Sequence, residues 1–173
     1  MSNSTDPIRW LPHIKLEKYA SEEDHRQQLP YEVVEQDGNL LTTAGLTRIM
    51  SLLVGAGGQA ADNGHTRLGV GNSAVAEAAG QTDLQAAAGA ANRWFQVMDA
   101  TYPQVAAGVL TAKATFGSAD GNFVWNEWGL TVDNSGSISG TTVGQTLLNR
   151  KVAALGTKAA GAIWVLTCTI TLA

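Results

Sequence analysis

The sequence predicts a mainly β (α+β) protein: an antiparallel β-sandwich with one packed N-terminal helix and an extended N-terminal arm. Three observations carry this expectation. Two segments alternate with period two, so that Leu110, Ala112, Ala114 and Phe116 share one face, and Trp164, Leu166, Cys168, Ile170 and Leu172 another. Turn-forming clusters of Gly, Asn, Asp and Ser separate five or six such short segments. A single stretch, Leu46, Ile49, Met50 and Leu53, repeats at helical spacing.

Charge marks the first boundary. Residues 1–37 hold 12 of the 26 charges, four basic and eight acidic, whereas the 136 residues that follow hold seven of each sign. Pro7, Pro12 and Pro30 discourage one continuous helix in this arm. Yet Ile8, Trp10, Leu11, Ile14, Leu16 and Tyr19 supply apolar anchors that a solvated tail lacks. The arm therefore folds back onto its own body, orders on a neighbouring subunit, or stays disordered. Ordering on a neighbour is the preferred expectation, with those six residues as partner-binding anchors and with the body, 38–173, folding without the arm.

The helix near 43–54 is capped by Thr42 or Thr43 and stopped by Gly55 and the Gly57-Gly58 pair; its apolar stripe is expected to lie on a sheet. Thr66 to Gly71 reads as a strand entering a glycine turn. Gln81 to Ala88 has the residues for one or two helical turns. Arg93 to Asp99, Val109 to Phe116, Phe123 to Val132, Thr146 to Leu155 and Ala162 to Leu172 read as strands, with loops at 117–122 and 133–142. β-Branched Thr167, Thr169 and Thr171 opposite the apolar face make the last strand the clearest of these.

At 173 residues and 45% hydrophobic, the chain is long enough to bury a sizeable core. A net charge of −4 without a basic cluster gives no nucleic-acid footprint. No apolar run is long enough for a transmembrane helix, and the N-terminus has no secretory pattern. With Cys168 alone, no intrachain disulfide forms.

Candidate chemistry is sparse. His13, His25 and His65 have no short-spaced His or Cys partner of the kind a zinc site needs, so no metal and no cofactor is expected. Cys168 falls on an apolar strand face, where it acts as a small hydrophobe. Gly69-Val-Gly-Asn-Ser lacks the rest of a phosphate loop, and Asp62, Asp120 and Asp133 reproduce no dedicated calcium loop. Trp125-Asn-Glu-Trp128 is the most informative run. Glu127 either pairs with Arg150 or Lys151 on the next strand or sits between tryptophans on a ligand platform; a lone carboxylate does not make a glycosidase.

The order of motifs carries a resemblance. Leu41-Thr-Thr-Ala-Gly-Leu-Thr-Arg-Ile, Leu68-Gly-Val-Gly-Asn-Ser, Gln81-Thr-Asp-Leu-Gln, Gly121-Asn-Phe-Val-Trp-Asn-Glu-Trp-Gly-Leu and Leu147-Leu-Asn-Arg-Lys follow one another across residues 39–155. The set resembles small tailed-bacteriophage virion structural proteins and, more distantly, the N-terminal collar-attachment domain of phage tail fibres. That resemblance implies a non-enzymatic virion protein, made in the host cytoplasm, most simply a capsid decoration or minor capsid protein. The alternative it leaves is a tail, neck or collar structural protein. Implied partners are the major capsid protein or tail and collar proteins, together with further copies in a homotrimer or other small homo-oligomer, and neither nucleic acid nor membrane. Trp125, Glu127, Trp128 and Arg150 would form a structural or docking strand. A carbohydrate-binding module using the tryptophans, through loops 117–122 or 133–142, is the third expectation.

Overall fold

The computed structural model describes residues 9–132 and 145–173. In chain order the elements are β1 (Trp10–Tyr19), α1 (Glu22–Arg26), β2 (Glu32–Asp37), β3 (Leu40–Leu41), α2 (Thr43–Leu53), β4 (Arg67–Gly71), β5 (Arg93–Val97), β6 (Gln104–Ala106), β7 (Val109–Phe116), β8 (Val124–Val132), β9 (Thr146–Thr157) and β10 (Ile163–Leu172). They form two five-stranded antiparallel sheets, ordered β2-β1-β10-β7-β6 and β3-β9-β8-β4-β5, packed face to face as a β-sandwich.

The core is the two inward faces. Ile14 and Leu16 from β1, Ala112, Ala114 and Phe116 from β7, and Trp164, Leu166 and Cys168 from β10 meet Trp125, Trp128 and Leu130 of β8. Trp125 stands edge-on to Phe116 and Trp164 at centroid distances of 4.6 and 4.8 Å, and its Nε1 donates to the Gly121 carbonyl at 2.8 Å. Such edge-to-face contacts add specificity to the burial of large rings. The alternation read in β7 and β10 is the alternation observed.

Residues 10–37 are not an arm. β1 is an interior strand, hydrogen-bonded to β2 on one side and β10 on the other, with Leu16 opposite both Val34 and Leu166. Many of the charges that set this segment apart lie on β1, β2 and α1, where Lys15 pairs with Glu17 at 2.9 Å and His13 with Asp37 at 2.8 Å. Lys18 crosses the Trp164 ring at 4.8 Å and pairs with Glu32 at 2.9 Å. Pro12 is tolerated inside the strand because its carbonyl accepts from Gly38 at 2.9 Å, so its ring nitrogen faces the side where β2 ends and the chain turns away at positive φ. The body, 38–173, is therefore an incomplete sandwich.

Helix α2 starts where expected, with Thr42 as its cap accepting from the Gly45 N–H at 2.9 Å. It packs by a different face than the apolar stripe suggests. A Cβ at Gly45 would sit 2.2 Å from the Leu148 carbonyl oxygen, so the helix backbone lies directly on β9. Thr42, Gly45 and Arg48 are buried there, while Leu46, Met50 and Leu53 stay 50%, 57% and 77% exposed. Arg48 is held by the carbonyls of Gly57, at 2.6 Å, and Gln59. The stretch 81–88 is not helical: its amides are drawn to a carboxylate on β8, as described below.

Leu16→Ala removes packed atoms from a fully enclosed site and is expected to cost about 2–5 kcal/mol in urea denaturation. Removal of residues 1–37 is expected to abolish cooperative unfolding. A sharp transition in the truncated chain would return β1 to the status of an arm.

Candidate functional site

Most residues singled out in the sequence serve the interior. Ile14 and Leu16 lie in the core between the sheets and Tyr19 in a separate cluster with Ile163 and Val165; all three are 0–1% exposed and are unavailable to a partner. Leu11 is half exposed on the outer face, Trp10 is half buried with its Nε1 donating to Asn39 Oδ1 at 2.8 Å, and Ile8 lies outside the described residues. β8 is flanked by β9 and β4, so Trp125–Leu130 offers no free edge and is not a docking strand. Trp125 and Trp128 are fully enclosed, which removes them as a sugar platform. The loop 133–142 and Asp133 lie outside the described residues.

Glu127 is the centre of a buried polar node. Its carboxylate accepts from Arg150 Nε at 2.6 Å and from the amides of Gln85 and Ala86 at 3.0 and 2.7 Å. Arg150 also donates to Gln81 Oε1 at 3.0 Å and to the Val75 carbonyl at 2.9 Å. Both side chains are at most 1% exposed. A charge removed from water is tolerated when paired and fully hydrogen-bonded. Here the partners come from one loop, so the ion pair fastens residues 75–86 across the outer face of β8 and β9. Glu77 adds a bond to the Val152 amide at 2.6 Å, and Asp83 pairs with Arg93 at 2.9 Å. Burial raises the Asp83 carboxyl above its usual range, with Arg93 opposing. Gly71 makes room: a Cβ there would lie 2.4 Å from Glu127 Oε1. The glycines of Gly69-Val-Gly thus sit within β4 and serve close packing rather than a phosphate.

The remaining candidates are structural too. Cys168 is fully buried, and burial pushes its thiol up to about 12. His65 pairs with Asp62 at 2.7 Å, and His25 meets the Tyr19 ring at 4.9 Å. Among the described residues no three His, Cys, Asp or Glu side chains gather where they could hold a metal ion. In the 117–122 loop, Lys158 Nζ donates to the Gly117 carbonyl at 2.7 Å and Asn122 Oδ1 at 2.8 Å, while Asp120 accepts from the Gly117 amide at 3.0 Å. Burial pulls the Lys158 amine down to about 8, against the pull of Asp120.

One surface is different. At the end of the sandwich where β1 begins and β10 finishes, the described residues leave the space between the sheets open as a cavity of about 480 Å³. Inward residues of both sheets, Leu110, Ile170, Val132 and Leu148, form its depth. Trp10 and its strand partner Leu172 form one rim; Ile49, Leu52 and Leu53 of α2, and Val105 of β6, form the others. Arg48 is the single charged residue in this lining, and its guanidinium is bonded to carbonyls. Such a mouth can hold apolar side chains, and its described lining residues include no His, Cys, Ser, Thr, Asp or Glu. Of the six anchors expected to bind a partner, Trp10 alone borders it. The other lining residues were missed because they come from six elements, α2, β6, β7, β8, β9 and β10; the available signal was the density of Ile49-Met50-Ser-Leu-Leu-Val54, more apolar than one packed face requires.

Arg150→Met leaves Glu127 buried without its counter-ion and is expected to cost about 3–5 kcal/mol by chemical denaturation; a loss under about 1 kcal/mol would show that the node does not hold the loop. For Lys158 the sign follows from its lowered value. Below pH 8 folded and unfolded chains both carry the proton and the burial penalty is present in full. Between about 8 and 10.5 the unfolded chain binds the proton more tightly, so stability rises with pH, by up to about 1.4 kcal/mol per unit. The stability of the wild type minus that of Lys158→Met is therefore expected to rise across this window; a flat difference would refute it. Scanned against protein-family models, curated proteins and solved structures, the chain matches none.

Proposed function

We propose that this chain is a non-enzymatic structural subunit of a tailed-bacteriophage particle, acting as a capsid decoration or minor capsid protein. The observation that carries the proposal is the open apolar mouth. Among the described residues the core is open at one end, beside an exposed helix face, and in this reading another polypeptide completes it. Contiguous exposed apolar surface marks interaction sites. The ordered motif set across residues 39–155, resembling phage virion proteins, supplies the setting. The docking element differs from the one the sequence suggested: the arm is built into the core, and the mouth takes its place. In such a role stabilisation comes from burying apolar surface at about 25 cal/mol per Å², less the ordering terms, with no reaction step.

Co-sedimentation of the purified protein with phage heads and, separately, with isolated tails tests this. Association with heads, and greater resistance of those heads to heat, is the expected result. Association with tails alone would move the protein to the tail, neck or collar, and association with neither would overturn the particle assignment.

A further inference from the structure

We propose that the Lys158 amine and the Asn122 side-chain amide join in an intramolecular isopeptide bond, made by the folded chain on itself with release of ammonia. The reaction occurs once per molecule, needs no oxidant and leaves the non-enzymatic reading intact. It rests on no part of the particle assignment.

Position is the first ground. Lys158 follows the end of β9 and Asn122 precedes β8. Backbone bonds pin the two segments together: the Lys158 amide donates to the Phe123 carbonyl and the Gly161 amide to the Ser118 carbonyl, both at 3.0 Å. Lys158 Nζ then stands 2.8 Å from Asn122 Oδ1 and 2.7 Å from the Gly117 carbonyl oxygen. Groups held together in a fixed frame react as though at an effective concentration that reaches ~10⁵ M or more when well oriented.

Environment is the second. Lys158 is 1% exposed. Burial brings its amine down to about 8, with the Asp120 charge opposing. The neutral amine is the nucleophilic form, and at pH 7 it makes up ~10% of the total, against under ~0.1% for a solvated lysine.

Orientation is the third. Asn122 Nδ2 donates to the carbonyl of exposed Ser118 at 2.9 Å, so the amide turns its oxygen to the buried amine and its nitrogen away from it. The Lys158 lone pair attacks Asn122 Cγ and a Cγ–Nζ bond forms. The Cγ–Nδ2 bond breaks, its electron pair stays on Nδ2, one proton passes from Nζ to Nδ2, and ammonia departs. An amine and a primary amide have become a secondary amide and ammonia. The remaining N–H keeps the Gly117 carbonyl as its acceptor.

The bond ties the start of β8 to the end of β9 and closes residues 122–158 into a ring. In other chains a disulfide serves this purpose, but Cys168 has no second cysteine to join. The titration expected of Lys158 above belongs to the unlinked form, because an acylated amine does not titrate there.

Intact-mass spectrometry and a tryptic digest of the purified full chain test the proposal, before and after incubation at about pH 9, where most of the amine is neutral. The expected mass is about 17 Da below that of the sequence, the mass of one ammonia. The digest is expected to hold a branched peptide joining residues 114–150 to 152–173, uncut after Lys158. Lys158→Met and Asn122→Ala are expected at their full sequence masses. An unshifted wild-type mass under both conditions would overturn the proposal. So would an ammonia loss that persists in either variant, which places it elsewhere in the chain, or a loss of water in its place, which puts the link on a carboxyl group such as Asp120.

Discussion

The fold depends on two charges that have left water together. Glu127 and Arg150 are held in the interior by each other and by loop partners: two loop amides and a guanidinium for the acid, a loop carbonyl and an amide side chain beside the carboxylate for the base. All the loop partners belong to a segment with no regular structure, so the pair converts an irregular stretch into a fixed cover over one sheet. Leu84 then drops between Phe95 and Leu147 to complete a small apolar cluster on that outer face. Gly71 and Gly129 are required by the same arrangement, since β carbons there would meet Glu127 Oε1 at 2.4 Å and the Asn149 carbonyl at 2.7 Å. This is fold specificity obtained from a polar node, with apolar burial elsewhere providing most of the stabilisation.

What was legible in the sequence was whatever depends on neighbours a few residues away. The strands with clean alternation, the Thr42 cap and the turn at 117–122 all follow from local periodicity and turn chemistry. The segment 10–19 alternates as well, yet its charges and prolines read as an arm, because composition does not say whether a charged residue lies on a free tail or on the outer face of a sheet. The Glu127–Arg150 pair was within reach because the two residues sit on adjacent strands. Its loop partners, more than 40 residues from Glu127 and about 70 or more from Arg150, were not. For 81–88 the tertiary bond to a carboxylate outweighs the modest helical preference of alanine.

The helix illustrates a subtler limit. Periodicity identified its apolar stripe correctly but could not say which face meets the sheet. Gly45 decides that, by letting the backbone approach β9 so closely that no other face can turn inward. The consequence, among the described residues, is an asymmetric arrangement, with an acidic, polar turn at one end of β1 and a largely apolar opening, with Arg48 as its one charged residue, at the other.

The pairing of β1 with β10 also bears on how the chain acquires its structure. Trp10 lies opposite Leu172, and Arg9 exchanges backbone hydrogen bonds with Ala173 at 2.6 and 3.1 Å. An interior strand from one end of the sequence thus waits for the strand at the other end. Closing so long a loop carries an entropy penalty that local contacts do not offset, which slows folding. During synthesis Ile14 and Leu16 emerge early and remain uncovered on one side until β10 is made, leaving an unpaired apolar edge in the nascent chain. The β1–β2 hairpin, whose pairing partners are near neighbours in the sequence, is the part of this sheet that needs no distant strand.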